Sequence, residues 1–180
     1  FGLLLDRYQR RVFNMVCRMV GNRTDAEDVS QEIFCRLFQN LGRYDAARPL
    51  ENWLMRMASN HTLNWLDRKR VATVPIEPER ADQGAGSRDA RDASPSPAEY
   101  AEGREAGALI DAALQRLPAN HRMVFILMYM EGYTAEEAAE IVRAPRNTVK
   151  TWVFRAREAL RVELAHLFHS PSGRAGKDRA

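Results

Sequence analysis

The side chains best suited to chemistry in this 180-residue chain are amides and cations at helical spacing. Asn52, Arg56, Asn60, Asn64, Arg68 and Lys69 fall roughly along one side of a helical stretch. A carboxamide pairs with a base edge and Arg or Lys neutralises phosphate, so the pattern suits a nucleic acid. A solvated helix face is the plain alternative. A second set, Asp25, Glu27, Asp28, Gln31 and Glu32, crowds one short run with carboxylates and an amide. Such a face suits a basic partner, although acidic residues also favour a helix N-terminus for its own sake. That explains Asp25, Glu27 and Asp28 better than Gln31 and Glu32.

Catalysis finds less material. No Gly-rich phosphate loop, nucleophile elbow or Ser/His/Asp spacing occurs. His166 and His169 have a spacing that fits a metal, but no third or fourth ligand is nearby, and a place near a helix C-terminus explains them. Cys17 and Cys35 lie among apolar residues and read as buried small hydrophobes rather than a redox pair. His61 and His121 read as packing or surface residues, and the seven Met as core or partner-groove filler. No catalytic residue, metal or cofactor is expected.

These residues need a scaffold. Hydrophobic residues make up 45% of the chain, enough for a core. The longest apolar run, Met123 to Met130, is far too short to span a bilayer, the opening residues give no support for secretion, and two Cys predict a reducing cytoplasmic location. Charge is uneven: net +4 over residues 1–70, −4 over 71–105 and +3 over 106–180. Two basic blocks flanking an acidic one hint weakly at polyanion contact. The stretch from Val71 to about Gly103 holds four of the eight Pro and few large apolar residues, which predicts a mobile linker.

Helical periodicity accounts for the rest. Leu4, Tyr8, Val12, Met15, Val16 and Met19 predict a first amphipathic helix, stopped at Gly21-Asn22. Thr24 and Glu27 predict a capping box for a second, with Val29, Ile33, Leu37 and Leu41 inward and Phe34 and Phe38 widening the stripe. A loop to Arg48 precedes a third helix, opened by Pro49 and running to about Arg70, with Leu50, Leu54, Met57, Ala58 and Trp65 inward. Beyond the linker, Leu109, Ile110, Ala113, Leu114 and Leu117 predict a short helix ended by Pro118. Residues 119–131 predict another, burying Val124, Phe125, Leu127 and Met128, with Gly132 as its cap. Thr134 and Glu137 predict a capping box for a helix to Val142. After a tight turn, Asn147 would cap a last helix carrying Val149, Val153, Ala156, Leu160 and Leu164. Short helix, tight turn and longer basic helix make a helix-turn-helix pattern. The expected fold is all-α: two small helical domains joined by a flexible linker, the second with a helix-turn-helix. The expected bounds are 1–70, linker 71–105, second domain 106–170 and a disordered tail 171–180.

Three stretches, DAEDVSQEIF from Asp25, LENWLMRMASN from Leu50 and YTAEEAAEIVRAPRNTVKTWVFRAR from Tyr133, resemble one family in order and spacing, the extracytoplasmic-function (ECF) sigma factors of bacterial RNA polymerase. The resemblance implies a division of labour. Asp25, Glu27, Asp28, Gln31, Glu32 and Phe34 would bind core polymerase. Arg43, Tyr44, Asp45 and Arg48 would capture a flipped −10 base. Asn52, Trp53, Arg56, Asn60, Asn64, Arg68 and Lys69 would continue the −10 surface, with Trp53 equally open to a core role. Arg146, Thr148, Lys150, Thr151, Trp152 and Arg155 would read the −35 element, with Arg157 on the backbone or the fold. Four residues depart from the family pattern. Leu50 stands for Phe, Arg143 for a Gly at a left-handed helix end, Asn147 for Gly and Trp152 for Arg.

The resemblance also implies an anti-sigma factor, often membrane-tethered, as a partner beside core polymerase and promoter DNA, without membrane insertion by the chain itself. The acidic linker would thread the polymerase channel as an RNA mimic or serve as a plain tether. A dimeric helix-turn-helix regulator and a polymerase-binding adaptor that does not bind DNA are the rival readings.

Overall fold

The computed structural model describes residues 1–47, 49–72 and 107–168. It contains α1 (Gly2–Val20), α2 (Arg23–Asn40), a 3₁₀ turn (Leu41–Arg43) and α3 (Leu50–Ala72). A helix over 107–115, here α4, leads to α5 (Ala119–Phe125), which continues into a π turn (Ile126–Met130), then α6 (Ala135–Val142) and α7 (Arg146–Phe168). Among the described residues there is no strand. The chain is all-α, with α1–α3 forming one helical domain and α4–α7 the other, and α6 and α7 forming the helix-turn-helix. Arg48, most of the proposed linker, His169 and the tail lie outside the described residues.

The helices form where apolar periodicity demands them. Tyr8, Val12, Met15, Val16 and Met19 are buried on α1, Val29, Ile33 and Leu37 on α2, and Leu54 and Ala58 on α3. Gly21 ends α1 at φ +76°, a left-handed cap that also brings its backbone close to Gln115. The left-handed conformation favours glycine, and a Cβ there would lie 2.6 Å from the end of the Gln115 side chain, which would have to move aside. The Thr134–Glu137 capping box opens α6 as expected. Arg143 ends that helix at φ 56°, accepting the left-handed cap despite its Cβ.

Several expectations change. The second helix is capped by Asn22, whose side chain accepts the Asp25 N–H, so Thr24 sits inside the first turn and makes no capping box. Asx side chains outrank Thr as N-caps, and Asn22 lies two residues earlier. The last helix begins at Arg146, which places Asn147 within its first turn; the Asn147 carbonyl accepts from Thr151. Phe38 and Cys35 are exposed, Phe38 because it lies just outside the arc that α2 buries and Cys35 because it lies on the opposite face; Ile110, in line with Ala113, Leu114 and Leu117, is exposed near the start of α4. Phe125 and Met128 are only half-buried; the π turn rotates Ile126 and Leu127 inward with Met123 and Val124. Met55, with no place in the expected inner face of α3, is fully buried.

The two domains share one apolar core, in which Met15, Leu54, Leu127 and Ile141 belong to a single cluster. Polar clamps flank it. Arg11 of α1 donates from Nε to Glu131 Oε2 at 2.6 Å and from a terminal nitrogen to Glu51 Oε1 at 2.5 Å, and Tyr133 Oη donates to the same Glu51 oxygen at 3.1 Å. Burial opposes the Arg11 charge, but the bonds to Glu131 and Glu51 outweigh it and raise its pKa further. Burial likewise pushes the Tyr133 phenol up, against the pull of Arg11 and with the nearby Glu51 and Glu131 carboxylates.

The second clamp lies at the C-terminus of α1. Arg122 donates to the carbonyls of Met19, Gln115 and Leu117 and to the Gln115 side chain, while Gln115 Nε2 donates to the Arg18 carbonyl at 2.7 Å. A guanidinium thus meets the Met19 carbonyl in the last turn of α1 and carbonyls at the end of α4, where helix dipoles favour a cation. Burial lowers the Arg122 pKa.

Candidate nucleic-acid interface

The residues singled out on α3 divide into two groups. Successive residues turn by about 100°. Asn52, Arg56, Asn60, Asn64 and Arg68 therefore drift slowly along the arc opposite Leu54, Met55, Ala58 and Thr62, which are buried. Asn52, Arg56 and Asn60 are half-buried, whereas Asn64 and Arg68 are exposed. Lys69 stands off this stripe. Its Nζ lies 2.5 Å from Asp25 Oδ2 and 4.9 Å from the Trp65 ring centroid, so it joins α3 to the start of α2.

The loop before α3 completes the surface. Tyr44 and Trp53 stand with ring centroids 5.3 Å apart at 49°, beside a shallow cleft that Arg43, Asp45 and Arg56 also line. Two aromatic rings, two guanidiniums and a carboxylate in one open cleft offer stacking, phosphate neutralisation and an acceptor for a base amine. Asp45 Oδ1 accepts the Ala47 N–H at 3.0 Å and so shapes the loop. Trp53 packs in part on the shared core and also lines the cleft.

On α2, Glu27, Asp28, Gln31 and Glu32 are exposed along the outer face, Asp25 is half-buried, and Phe34 is buried beneath. Glu27 pairs with Arg23 at 3.0 Å. Glu32 Oε2 lies 2.9 Å from Nε2 of His61, a buried residue on α3. Burial and then Arg36 lower the His61 pKa, with Glu32 opposing them. His61 is thus a packing residue with one polar tie, and sequence spacing carried no sign of that tie.

On α7, Val149, Val153, Ala156 and Leu160 are buried. By helical rotation Arg146, Lys150 and Arg157 share one flank of the remaining surface, Thr151 and Arg155 lie opposite the core, and Thr148 and Trp152 form the other flank. Arg146 pairs with Glu136 of α6 at 2.5 Å, and Arg157 lies 5.9 Å from the Tyr129 ring. Trp152 is half-buried against the core, its ring centroid 6.3 Å from that of His121. Burial and then Arg155 lower the His121 pKa. The helix therefore presents a basic, hydroxyl-bearing arc of the kind that enters a major groove. Among the described residues no group of three or more His, Cys, Asp or Glu is placed to hold a metal, and no helix is long and apolar enough to cross a membrane.

Comparison with known proteins fits this arrangement. The family model for Sigma-70 region 2 matches residues 4–71, and that for Sigma-70, region 4 matches residues 108–160. The ECF RNA polymerase sigma factor SigW of Bacillus subtilis is 31% identical over 93% of this chain and 90% of its own length. The ECF RNA polymerase sigma-E factor of Escherichia coli is 30% identical over 89% of this chain and 84% of its own. A chain in the co-crystal structure of the sigma factor RpoE with the anti-sigma factor NepR from Bartonella quintana shares the fold, with a TM-score of 0.66, 22% identity and coverage of 92% of this chain and 96% of that one. With both regions matched in order on one helical scaffold, the chain belongs to the ECF sigma factors of RNA polymerase.

Proposed function

We propose that this chain acts by binding and not by catalysis: it joins core RNA polymerase, directs it to paired −10 and −35 promoter elements and helps open the duplex. The single observation that carries this reading is the presence of two separate nucleic-acid-type faces, the α3 stripe with its aromatic cleft and the exposed arc of α7, in a chain matched by both sigma regions. The exposed acidic face of α2 serves the polymerase, with Glu27, Asp28, Gln31 and Glu32 outermost. Tyr44 and Trp53 with Arg43, Asp45 and Arg56 take an extruded base; Asn60, Asn64 and Arg68 follow the strand. Lys150, Thr151 and Arg155 meet the −35 duplex, with Arg146 and Arg157 on phosphates. Residues 1–70 and 106–170 are the two working domains and 71–105 their acidic connector. An anti-sigma factor holds the chain inactive, as the complex with NepR supports by likeness of fold.

Transcription by purified core polymerase on a pooled genomic fragment library tests this. Start sites sharing a −10/−35 pair and appearing only with the protein are expected. Co-elution with core without new transcripts would point to an adaptor. Failure to co-elute would overturn the polymerase reading and leave a helix-turn-helix regulator.

A further inference from the structure

The acidic side of α2 is held in two different ways. Asp25 lies 2.5 Å from Lys69 Nζ and Glu27 lies 3.0 Å from Arg23 Nε, so each of these carboxylates meets a cation of its own chain. Glu32 meets an imidazole instead. Its Oε2 lies 2.9 Å from His61 Nε2 on α3. The His61 side chain is 5% exposed and that of Glu32 53%, so the contact runs from a packed interior to the open face of the next helix. Ala58 and Thr62, buried beside His61, fix the backbone from which it reaches. Burial and then Arg36 lower the His61 pKa from its ordinary 6.5; Glu32 opposes them and Arg68 adds to the lowering. At neutral pH the imidazole is therefore uncharged. A carboxylate only accepts, so the ring must donate from Nε2–H, and Glu32 keeps its full negative charge.

A glutamate on an exposed helix face samples several rotamers, and a partner that binds it must select one of them. An anchor in the interior makes that selection beforehand. A lysine or arginine anchor would also cancel the charge, whereas a neutral imidazole leaves the charge for the partner. We propose that His61 is a positioning residue for polymerase binding: from its seat on α3 it holds the Glu32 carboxylate by Oε2 and so presents Oε1 to a basic group of core polymerase. The proposal rests on the reading of α2 as the polymerase face. His61 is buried and acts only through Glu32. Fixing one long side chain in advance is worth about fivefold in affinity.

Competition of full-chain variants with a fluorescein-labelled parent chain for purified core RNA polymerase tests this. Glu32→Ala is expected to weaken core binding about tenfold. His61→Phe keeps a ring but has no donor, and it is expected to weaken binding about fivefold. His61→Gln places an amide N–H near the Nε2 position and should restore affinity to within about twofold. In the Glu32→Ala chain, His61→Phe should have no further effect. Equal losses from His61→Phe with and without Glu32, or no rescue by His61→Gln, would make His61 a packing residue only and overturn the proposal. A His61→Phe chain that binds like the parent would overturn it too, while a loss with Glu32→Ala would leave α2 as the polymerase face. Unchanged binding by Glu32→Ala would remove the polymerase reading at Glu32 together with the proposal. Imidazole nitrogen shifts of the isotope-labelled parent at neutral pH give a second measurement that does not depend on the folding of a variant. A neutral ring protonated on Nε2 is expected. A neutral ring protonated on Nδ1, or a ring protonated on both nitrogens, would overturn the proposal.

Discussion

Helices α3 and α7 are both 23 residues long and both carry the residues proposed for DNA, yet the protein treats them differently. Helix α7 buries one stripe and turns the rest outward. Helix α3 is packed by α1 and α2 on one side and by α6 on another. It also buries polar groups: Thr62 donates to the Ala58 carbonyl at 2.8 Å, Ser59 donates to the Met15 sulfur at 3.7 Å, and His61 meets Glu32. A helix fixed on several sides presents a rigid surface whose use depends on moving a neighbour. A helix fixed on one side is available at once. The difference between the two proposed DNA faces is therefore one of access as much as of residue type.

The largest expected effect tests that difference in packing. Leu54→Ala on α3 removes a fully buried side chain from the core shared by both domains and should cost about 4 kcal/mol. Leu160→Ala on α7, in the smaller cluster with Ala113, Leu114 and Leu117, should cost about 2 kcal/mol. Urea unfolding of both variants checks this, and equal losses would break the contrast. Next in size is Arg122→Met. It leaves the Met19, Gln115 and Leu117 carbonyls without this donor and should cost about 3 kcal/mol. Because Arg122 is in the second domain and Met19 in the first, unfolding followed separately by Trp53 and Trp152 fluorescence should show both domains weakened.

Much of this was legible in the sequence because it follows from periodicity. The inner faces of α1 and α7, the Thr134–Glu137 box and the helix-turn-helix are local patterns, and a spacing of three or four residues encodes them directly. The shared interface was not legible. Arg11 and Glu131 are 120 residues apart, and Arg122 and Met19 are 103 apart. No local spacing relates such residues. Lys69 shows the same limit: helical rotation sets it apart from the other α3 cations, and its tie to Asp25 depends on how α2 and α3 cross. Phe38 illustrates the opposite error, an apolar residue at plausible spacing that faces solvent. Apolar surface is common outside cores, and spacing alone does not show where the buried arc ends.

The exposed helix should respond to salt in a simple way. Lys150→Ala removes an exposed cation of α7. If it contacts one phosphate, the log–log dependence of duplex binding on salt should become shallower by about one, with roughly a fivefold loss of affinity at moderate salt. The same measurement on Arg56→Ala, whose side chain lines a cleft with Glu137 and Glu140 of α6, should show a smaller loss than Lys150→Ala. Equal losses would mean that α6 does not shield α3.

The smallest effect concerns α6, which packs on both α3 and α7. Thr134→Ala removes the hydroxyl that accepts the Glu137 N–H at 3.2 Å and that faces the Glu137 carboxylate at 2.9 Å, and it should cost about 1 kcal/mol. The capping box also gives α6 a pH signature. Hydrogen bonds from the Thr134 backbone N–H and then its hydroxyl hold the Glu137 carboxyl below its ordinary value of 4.5. The folded carboxylate therefore binds its proton less readily than the unfolded one. Its stabilisation is complete above about pH 4.5 and is lost as pH falls through the lowered folded value. Glu137→Gln should flatten that part of the stability profile, and thermal melts between neutral and acid pH read it directly. Because α6 packs on both α3 and α7, the same acid step should also lengthen the distance between spin labels on Cys35 and at position 158 of a Cys17→Ala/Glu158→Cys chain, two positions exposed in the parent. If stability falls while the distance stays fixed, the capping box secures the helix-turn-helix alone and the seat on α3 depends on the Arg11 and Arg122 clamps.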